Sequence, residues 1–328
     1  MFSLRLTLIL TLIGFATSVA HGAAPAPFTV CTITANSSNE KNVFRKSLPK
    51  GQFEFVELTE AKGESVSWFD NACAQMKQQH RQCDILLVSG HFAGTAFFGH
   101  DENGETSDKS WSVDEIESHS CSNDCEEIIR APKEIFLFGC NTLAGKQKDR
   151  RTPQQYQEIL VREGIPREQA TQMAQFRYGP LGESASDRME RIFWGVPHIY
   201  GFDSVAPSGK HIQAALARYL KGVGNYGDHL NQVSRLTTNR KLELSLGLYN
   251  FDQTQGVSVS QPGYQVHEGT CGLKKKKGQN LEVLKDLEKL LREPNRVLFV
   301  DQVRGFFDEH TLREMSNEEL ASTRQYQG

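Results

Sequence analysis

Past Val19 the chain has no apolar stretch approaching the ~20 residues needed to span a bilayer, which argues against a membrane-spanning protein. It also lacks a charge imbalance. Its 37 Lys and Arg against 40 Asp and Glu leave a formal net charge of −3, which gives no electrostatic reason to expect nucleic acid as a partner. No segment repeats itself, which sets aside repeat architectures. Cys31 lacks a preceding Leu-Ala-Gly sequence of the lipobox type, so lipid anchoring is not supported.

What is present at the start is a basic residue, Arg5, then the apolar run from Leu6 to Phe15, then small residues at Ala16–Ala20 and Gly22–Ala24. This is the order of a secretory signal. Residues 1–24 are read as a signal peptide, with a mature chain beginning between His21 and Pro25. The expected location is periplasmic or extracellular, with no membrane association after signal removal. Roughly 300 residues remain, enough for one large domain with an extension or for two domains.

All seven cysteines (Cys31, Cys73, Cys83, Cys121, Cys125, Cys140 and Cys271) lie beyond the signal. In an oxidising compartment most pair, and an odd number leaves one over. Cys140, which alone ends a buried strand, is the expected odd one. The other six allow three disulfides in about 15 connectivities that the sequence leaves open.

Two short apolar runs, Asp84–Gly90 and Glu134–Gly139, read as strands buried on both faces of a parallel sheet. Further strands are expected at Phe28–Thr34, Phe53–Leu58 and His198–Phe202, with a hairpin or ordered loop around Ala96-Phe97-Phe98. Helices are expected around Glu40–Leu48, at 65–80, and from the Ser112/Glu115 capping box toward Ile129. Others are expected at 153–163, after the Thr152-Pro153-Gln155 start signature, and at 166–177, 184–194 and 209–222. The alternation predicts an α/β fold over residues 25–224, a three-layer α/β/α sandwich with a mostly parallel sheet. A boundary near 224 is followed by a mainly helical C-terminal extension over residues 225–328. That extension reads as helical at 226–247 and turn-rich from Gly256 to Gly278, with a Leu281, Leu284, Leu287, Leu290, Leu291 stripe beyond.

The two apolar runs end on reactive side chains, His91 and Cys140. In parallel sheets ligands and chemistry collect at the carboxyl ends of strands, where an imidazole and a thiol form a base and a nucleophile. Gly90 and Gly139 let a bound peptide approach the backbone. The wording Ser89-Gly90-His91, Gly94, Phe97-Phe98-Gly99, then Phe138-Gly139-Cys140-Asn141-Thr142 and Gly145 resembles the caspase-like cysteine peptidases. That group includes caspases, gingipains, clostripain, legumains, separase and the bacterial CHAT domains, and the resemblance spans residues 28–222. Its histidine and cysteine stand 49 residues apart here, room for one crossover between parallel neighbours.

The resemblance implies a His91–Cys140 dyad that cleaves a peptide or protein substrate after one preferred side chain. It also implies an oxyanion held by backbone N–H groups at Phe92 and Cys140, and no cofactor. Two residues depart from the pattern: Phe92 where Gly follows the histidine, and Gly139 where Ala or Ser precedes the cysteine. An inactive member of the fold that binds peptides is the alternative reading. Asp203, directly after the last strand, offers a carboxylate for a basic side chain, although a cap or turn before Pro207 explains it better. Arg177 or Arg188 would serve an acidic one.

Other features are read as structural. His119, Cys121 and Cys125 have zinc-like spacing but suit disulfides better in an exported chain, so no metal is expected. Asp101, Asn103 and Glu105 imitate a calcium loop without its glycine and closing Glu. Asn36-Ser37-Ser38 matches a glycosylation acceptor. The basic runs Lys146–Arg151 and Lys274–Lys277 are candidate processing sites.

Overall fold

The computed structural model describes residues 26–65, 67–100, 109–145, 152–162, 166–168, 170–171, 174, 184–274 and 280–292. The signal segment, the Asp101–Glu105 group, Arg177, the Lys146–Arg151 run and Lys275–Lys277 lie outside them.

A six-stranded sheet forms the middle layer, in the order β2-β1-β3-β7-β8-β9. Its members are β1 (Phe28–Thr34), β2 (Phe53–Glu57), β3 (Ile85–Ser89), β7 (Glu134–Phe138), β8 (His198–Phe202) and β9 (Phe251–Thr254). The first five are mutually parallel and β9 joins β8 antiparallel. Every residue of β3, β7 and β8 is buried, as continuous apolar runs covered on both faces require.

Alternation along the strands sorts their side chains between two helical layers. Leu86, Val88, Ile135, Leu137 and Ile199 meet α2 (Trp68–Gln78), α3 (Val113–Ser122) and α6 (Ala185–Ile192) through Phe69, Met76, Ile116, Met189 and Ile192. Ile85, Leu87, Phe136, Phe138, Tyr200 and Phe202 meet α1 (Asn39–Ser47) and α7 (Gly209–Val223) through Val43, Phe44, Ile212, Leu216 and Tyr219. The three-layer α/β/α sandwich is therefore present. Beyond residue 224, α8 (Tyr226–Gln232) and α9 (Arg240–Leu246) pack on the second layer, and β9 extends the sheet itself.

Local signals fare unevenly. Thr152 and Gln155 form the reciprocal capping box, backbone N–H of each to side-chain oxygen of the other (2.8 and 3.2 Å), at the start of α5 (Pro153–Arg162). The helix expected from Ser112 to Ile129 breaks at Asn123, which adopts a left-handed φ of 55°, and resumes as α4 (Glu126–Ile129). Ser112 caps Asp114, while Glu115 turns away to accept from Ser67 Oγ at 2.6 Å. The turn-rich segment instead contains α10 (Pro262–Lys274), beginning with Pro at its first position. Tertiary ties override its glycines: Cys271 is bonded to Cys121 of α3, and Thr270 accepts from Arg191. The leucine stripe lies on α11 (Asn280–Arg292).

Three disulfides, Cys31–Cys83, Cys73–Cys125 and Cys121–Cys271, take every cysteine but Cys140. Such bonds persist in oxidising compartments and fit an exported chain. Among the described residues no helix is long and apolar enough to cross a membrane. The Cys121–Cys271 bond closes the longest loop, 150 residues. Replacing both by Ser is expected to cost about 2–5 kcal/mol, read as a lower urea midpoint. An unchanged midpoint would show that α10 docks without it.

Candidate active site

From β1 the chain moves outward to β2 through α1, then returns past β1 to β3 through α2 on the other face. Strand order therefore reverses between β1 and β3, and the crevice at their carboxyl ends is where such sheets take ligands.

Thr34, Ser89 and Phe138 are register partners on β1, β3 and β7. Two residues beyond them in sequence stand Asn36, His91 and Cys140, one from each of three adjacent strands. Neighbouring strands are about 4.8 Å apart, so these positions form one short row. Asn36 Nδ2 lies 3.0 Å from His91 Nε2. The two ends of a side-chain amide interchange by a flip, and with Oδ1 toward the ring Asn36 accepts from Nε2–H, the tautomer that leaves Nδ1 unprotonated as a base requires. Asn36 is held in place from above. A Cβ on Gly99 would fall 1.9 Å from Ala35 O, so the chain after the hairpin presses directly on the loop that carries Asn36.

His91 opens a small antiparallel sheet, β4 (His91–Phe92), β5 (Ala96–Phe98) and β6 (Trp111–Ser112). The Ala93 N–H donates to Ala96 O at 3.3 Å. Antiparallel ladders alternate bonded and non-bonded pairs, so Phe92, opposite Phe97, turns its N–H to the open edge of β4. The His91 ring sits 5.6 Å from that of Phe98 and 5.7 Å from that of His100, whose buried Nδ1 has no hydrogen-bond partner among the described residues. Phe98 and Ala93 pack under Tyr156 and Leu160 of α5, so the chain after Cys140 folds back over the hairpin that carries His91.

The Phe92 side chain is buried against Phe97, ring centroids 4.7 Å apart. A Cβ on Gly139 would lie 2.7 Å from Phe92 Cβ. The two departures from the caspase-like pattern are thus one packing arrangement, in which a side chain added after the histidine fills the space vacated before the cysteine. Gly139→Ala is expected to lower stability by about 1–3 kcal/mol through overpacking. In a Phe92→Gly background the same change is expected to cost less, about 1 kcal/mol, because the added Cβ still meets Phe97 Cε1 (3.1 Å) and Gly90 O (3.2 Å). Urea unfolding of the four proteins reads the coupling, and equal costs in both backgrounds would disprove it.

Cys140 is partly exposed at the apex of a reversal. Asn141 adopts φ 60°, a left-handed conformation that Asn tolerates better than most residues. From there Asn141 N–H donates to Ser204 O (2.7 Å) and Leu143 N–H to Phe202 O (2.9 Å), so the chain doubles back along the end of β8. Thr142 Oγ1 donates to Leu137 O (3.2 Å) and accepts from Phe202 N–H (3.1 Å), bridging the point where β7 and β8 part. Below the row lies Glu40 of α1, 5% exposed. Burial pushes its carboxyl up, against hydrogen bonds from its own backbone and from Ser89 and Ser37.

Asp203 lies one strand away from Cys140, and its N–H donates to Asn250 O at 2.9 Å, which prolongs the β8–β9 ladder. Arg188 is drawn away from the crevice to Asp114 and Glu117 of α3. Cys121 and Cys125 belong to separate disulfides, and His119 bonds Asp124 (2.8 Å) and Asp70 (3.1 Å). Cys121, His267 and Cys271 also cluster, but both sulfurs are committed to the disulfide and offer no thiolate to a metal.

The sequence reading missed Asn36 as a partner of His91. Its signal was a match to a glycosylation acceptor, which marks exposure, yet a glycan on Nδ2 would occupy the atom that meets His91. Comparison with protein-family models, curated proteins and solved structures returns no match, so the site rests on its own geometry.

Proposed function

We propose that the protein is an exported, caspase-like cysteine endopeptidase acting through His91 and Cys140. The observation that carries the reading is the Asn36, His91, Cys140 row across three strand ends at a topological switch point, with Cys140 outside the disulfides.

In the proposed reaction His91 takes the Cys140 proton, and the thiolate attacks the scissile carbonyl carbon. A carbon–sulfur bond forms and the carbonyl pair moves onto oxygen, where the Phe92 and Cys140 N–H groups receive it. As the pair returns, the carbon–nitrogen bond breaks and the His91 imidazolium gives its proton to the departing amine. Water then loses a proton to His91 and attacks the thioester, releasing the acid and restoring the thiol pair. Asn36 holds the ring through both transfers. The side chain before the cut is read as basic, from the Asp203 carboxylate.

Profiling a peptide library with the wild type and Cys140→Ala tests activity and preference together. Thiol-dependent cleavage that disappears in the variant is the expected result. A wild type that binds peptides without cutting them would replace the enzyme with a binding module on the same fold.

A further inference from the structure

A second cluster of reactive side chains lies away from the crevice. His267 and Cys271 stand four residues apart on α10, hence on one helix face, and Cys121 of α3 meets them there. His267 Nε2 and Nδ1 are 3.6 and 3.7 Å from Cys271 Sγ, and one ring nitrogen and both sulfurs all lie within 4.8 Å of one another. In a tetrahedral zinc site, bonds of about 2.3 Å to sulfur and about 2.0–2.1 Å to nitrogen set the ligand atoms about 3.5–3.8 Å apart. The nitrogen–sulfur spacing here already has that value. What keeps a cation out is the Cys121–Cys271 bond, since bonded sulfurs carry no negative charge to offer it.

Of the three disulfides this one is the most open to exchange, which requires a thiolate to reach a sulfur. Cys31 and Cys83 of one bond and Cys125 of another are 0% exposed, whereas Cys121 and Cys271 are 4% and 6% exposed. The imidazole beside Cys271 can also donate an N–H to the departing sulfur. Opening the bond leaves the cluster assembled, because other contacts join the same helices. Arg191 of α6 pairs with Glu117 of α3 and donates to Thr270 Oγ1 of α10 at 3.3 Å. The His267 ring is flanked by those of Trp194 and Tyr264, each centroid 5.6 Å away.

We propose that Cys121, His267 and Cys271 form a site for a zinc-type divalent cation when their disulfide is reduced. The two helices are then joined by the disulfide in oxidising surroundings and by the cation where a dithiol is present. The dithiol is the reductant: its two sulfurs join to each other, and its two electrons and two protons pass to Cys121 and Cys271 as their bond breaks. The cation then binds two thiolates and a neutral imidazole, and two protons go to solvent. Three protein ligands leave a fourth position for water or an external ligand. Two sulfurs and an imidazole select Zn²⁺ over Mg²⁺ or Ca²⁺, which prefer oxygen. The site is independent of the reading of His91 and Cys140.

The test uses the full chain, with Cys140 first blocked by iodoacetamide while the disulfides are closed. Dithiothreitol is added in steps, the opened cysteines are mapped by mass spectrometry, and cobalt(II) is supplied after the reductant is removed without air. The expected result is one cobalt ion per chain once Cys121–Cys271 has opened, with thiolate charge-transfer and tetrahedral d–d bands that zinc(II) abolishes. The oxidised chain should show no such bands. His267→Ala is expected to lose the tetrahedral bands, and His267→Cys, which supplies a third thiolate, to keep them. Wild-type bands in reduced His267→Ala would overturn the proposal. So would open Cys121 and Cys271 that take up no cobalt, or a bond between them that stays closed until the other two have opened. If His267→Ala does not fold, Cys121→Ser decides, since bands of wild-type strength with two ligands left would equally overturn it.

Discussion

Cys140→Ala is expected to remove all thiol-dependent peptide cleavage, and His91→Ala to lower kcat/KM by about 10²- to 10⁴-fold, the usual range for a positioned acid–base group. The two differ because a thiolate retains some nucleophilicity without its imidazole, whereas nothing in the row replaces the sulfur. Asn36→Ala is expected to act through the ring. Without the 3.0 Å contact His91 loses a fixed orientation, and kcat should fall about 10- to 100-fold with little change in KM. Asn36→Gln should fail to restore activity, because one added methylene moves the amide past the ring. All three side chains lie at the sheet edge, outside the two packed layers, so melting temperatures should stay near wild type. Variants that retain activity with the sulfur gone would sink the assignment. An inactive wild type with a slow-reacting thiol below pH 7 would do the same.

The halves of this site were unequally legible. His91 and Cys140 were visible because each ends a continuous apolar run, and cysteine parity singled out Cys140. Both signals are local or countable. Asn36 was not visible, because its partner is 55 residues away and a polar residue after a strand carries no mark of what it meets. Phe92 and Gly139 could be seen as two oddities, but their reciprocity exists only once β3 and β7 align and bring the two Cβ positions together. The disulfides show the same limit. Cys73 and Cys125 meet only because α2 and the start of α4 pack on one face of the sheet. In the C-terminal part, α10 was hidden by its own glycines, and its docking is a tertiary matter.

Glu134→Gln is expected to destabilise the protein by about 3–5 kcal/mol, the loss typical of removing one partner from a buried charged network. Glu134 begins β7 at the end of the sheet opposite the candidate site and is 0% exposed. Tyr200 OH and His229 Nε2 bond Oε1 at 2.7 and 2.9 Å, and Tyr226 OH bonds Oε2 at 2.6 Å. His198 Nδ1 stands 3.7 Å from Oε1 and 2.8 Å from Tyr200 OH. Asn239, at the start of α9, donates to Tyr200 OH (3.0 Å) and Tyr219 OH (2.8 Å). One carboxylate thus joins β7 and β8 to α7, α8 and α9, and ties residues 226–239 to the parallel sheet. Burial alone would push this acid up. The His198 ring nearby, the bonds from His229 and Tyr226, and the His229 charge outweigh burial and hold it at about 2, against 4.5 in an unstructured chain. A depressed carboxyl stabilises the fold above its unfolded pKa, and that contribution disappears as pH falls through its folded pKa. Here it amounts to about 3 kcal/mol at neutral pH, fully present above pH ~4.5 and lost on the way down to ~2. The tyrosines do not offset it, because burial and the Glu134 charge push Tyr200, Tyr219 and Tyr226 well above their ordinary range and keep them neutral donors throughout. Urea midpoints measured from pH 7 to pH 2.5 should therefore fall more steeply in the wild type than in Glu134→Gln, with the two curves converging at the acid end. Parallel curves would mean that the carboxylate is no more stable folded than unfolded, and that the aromatic packing of Tyr200, Tyr219 and Tyr226 holds this end of the sheet without it.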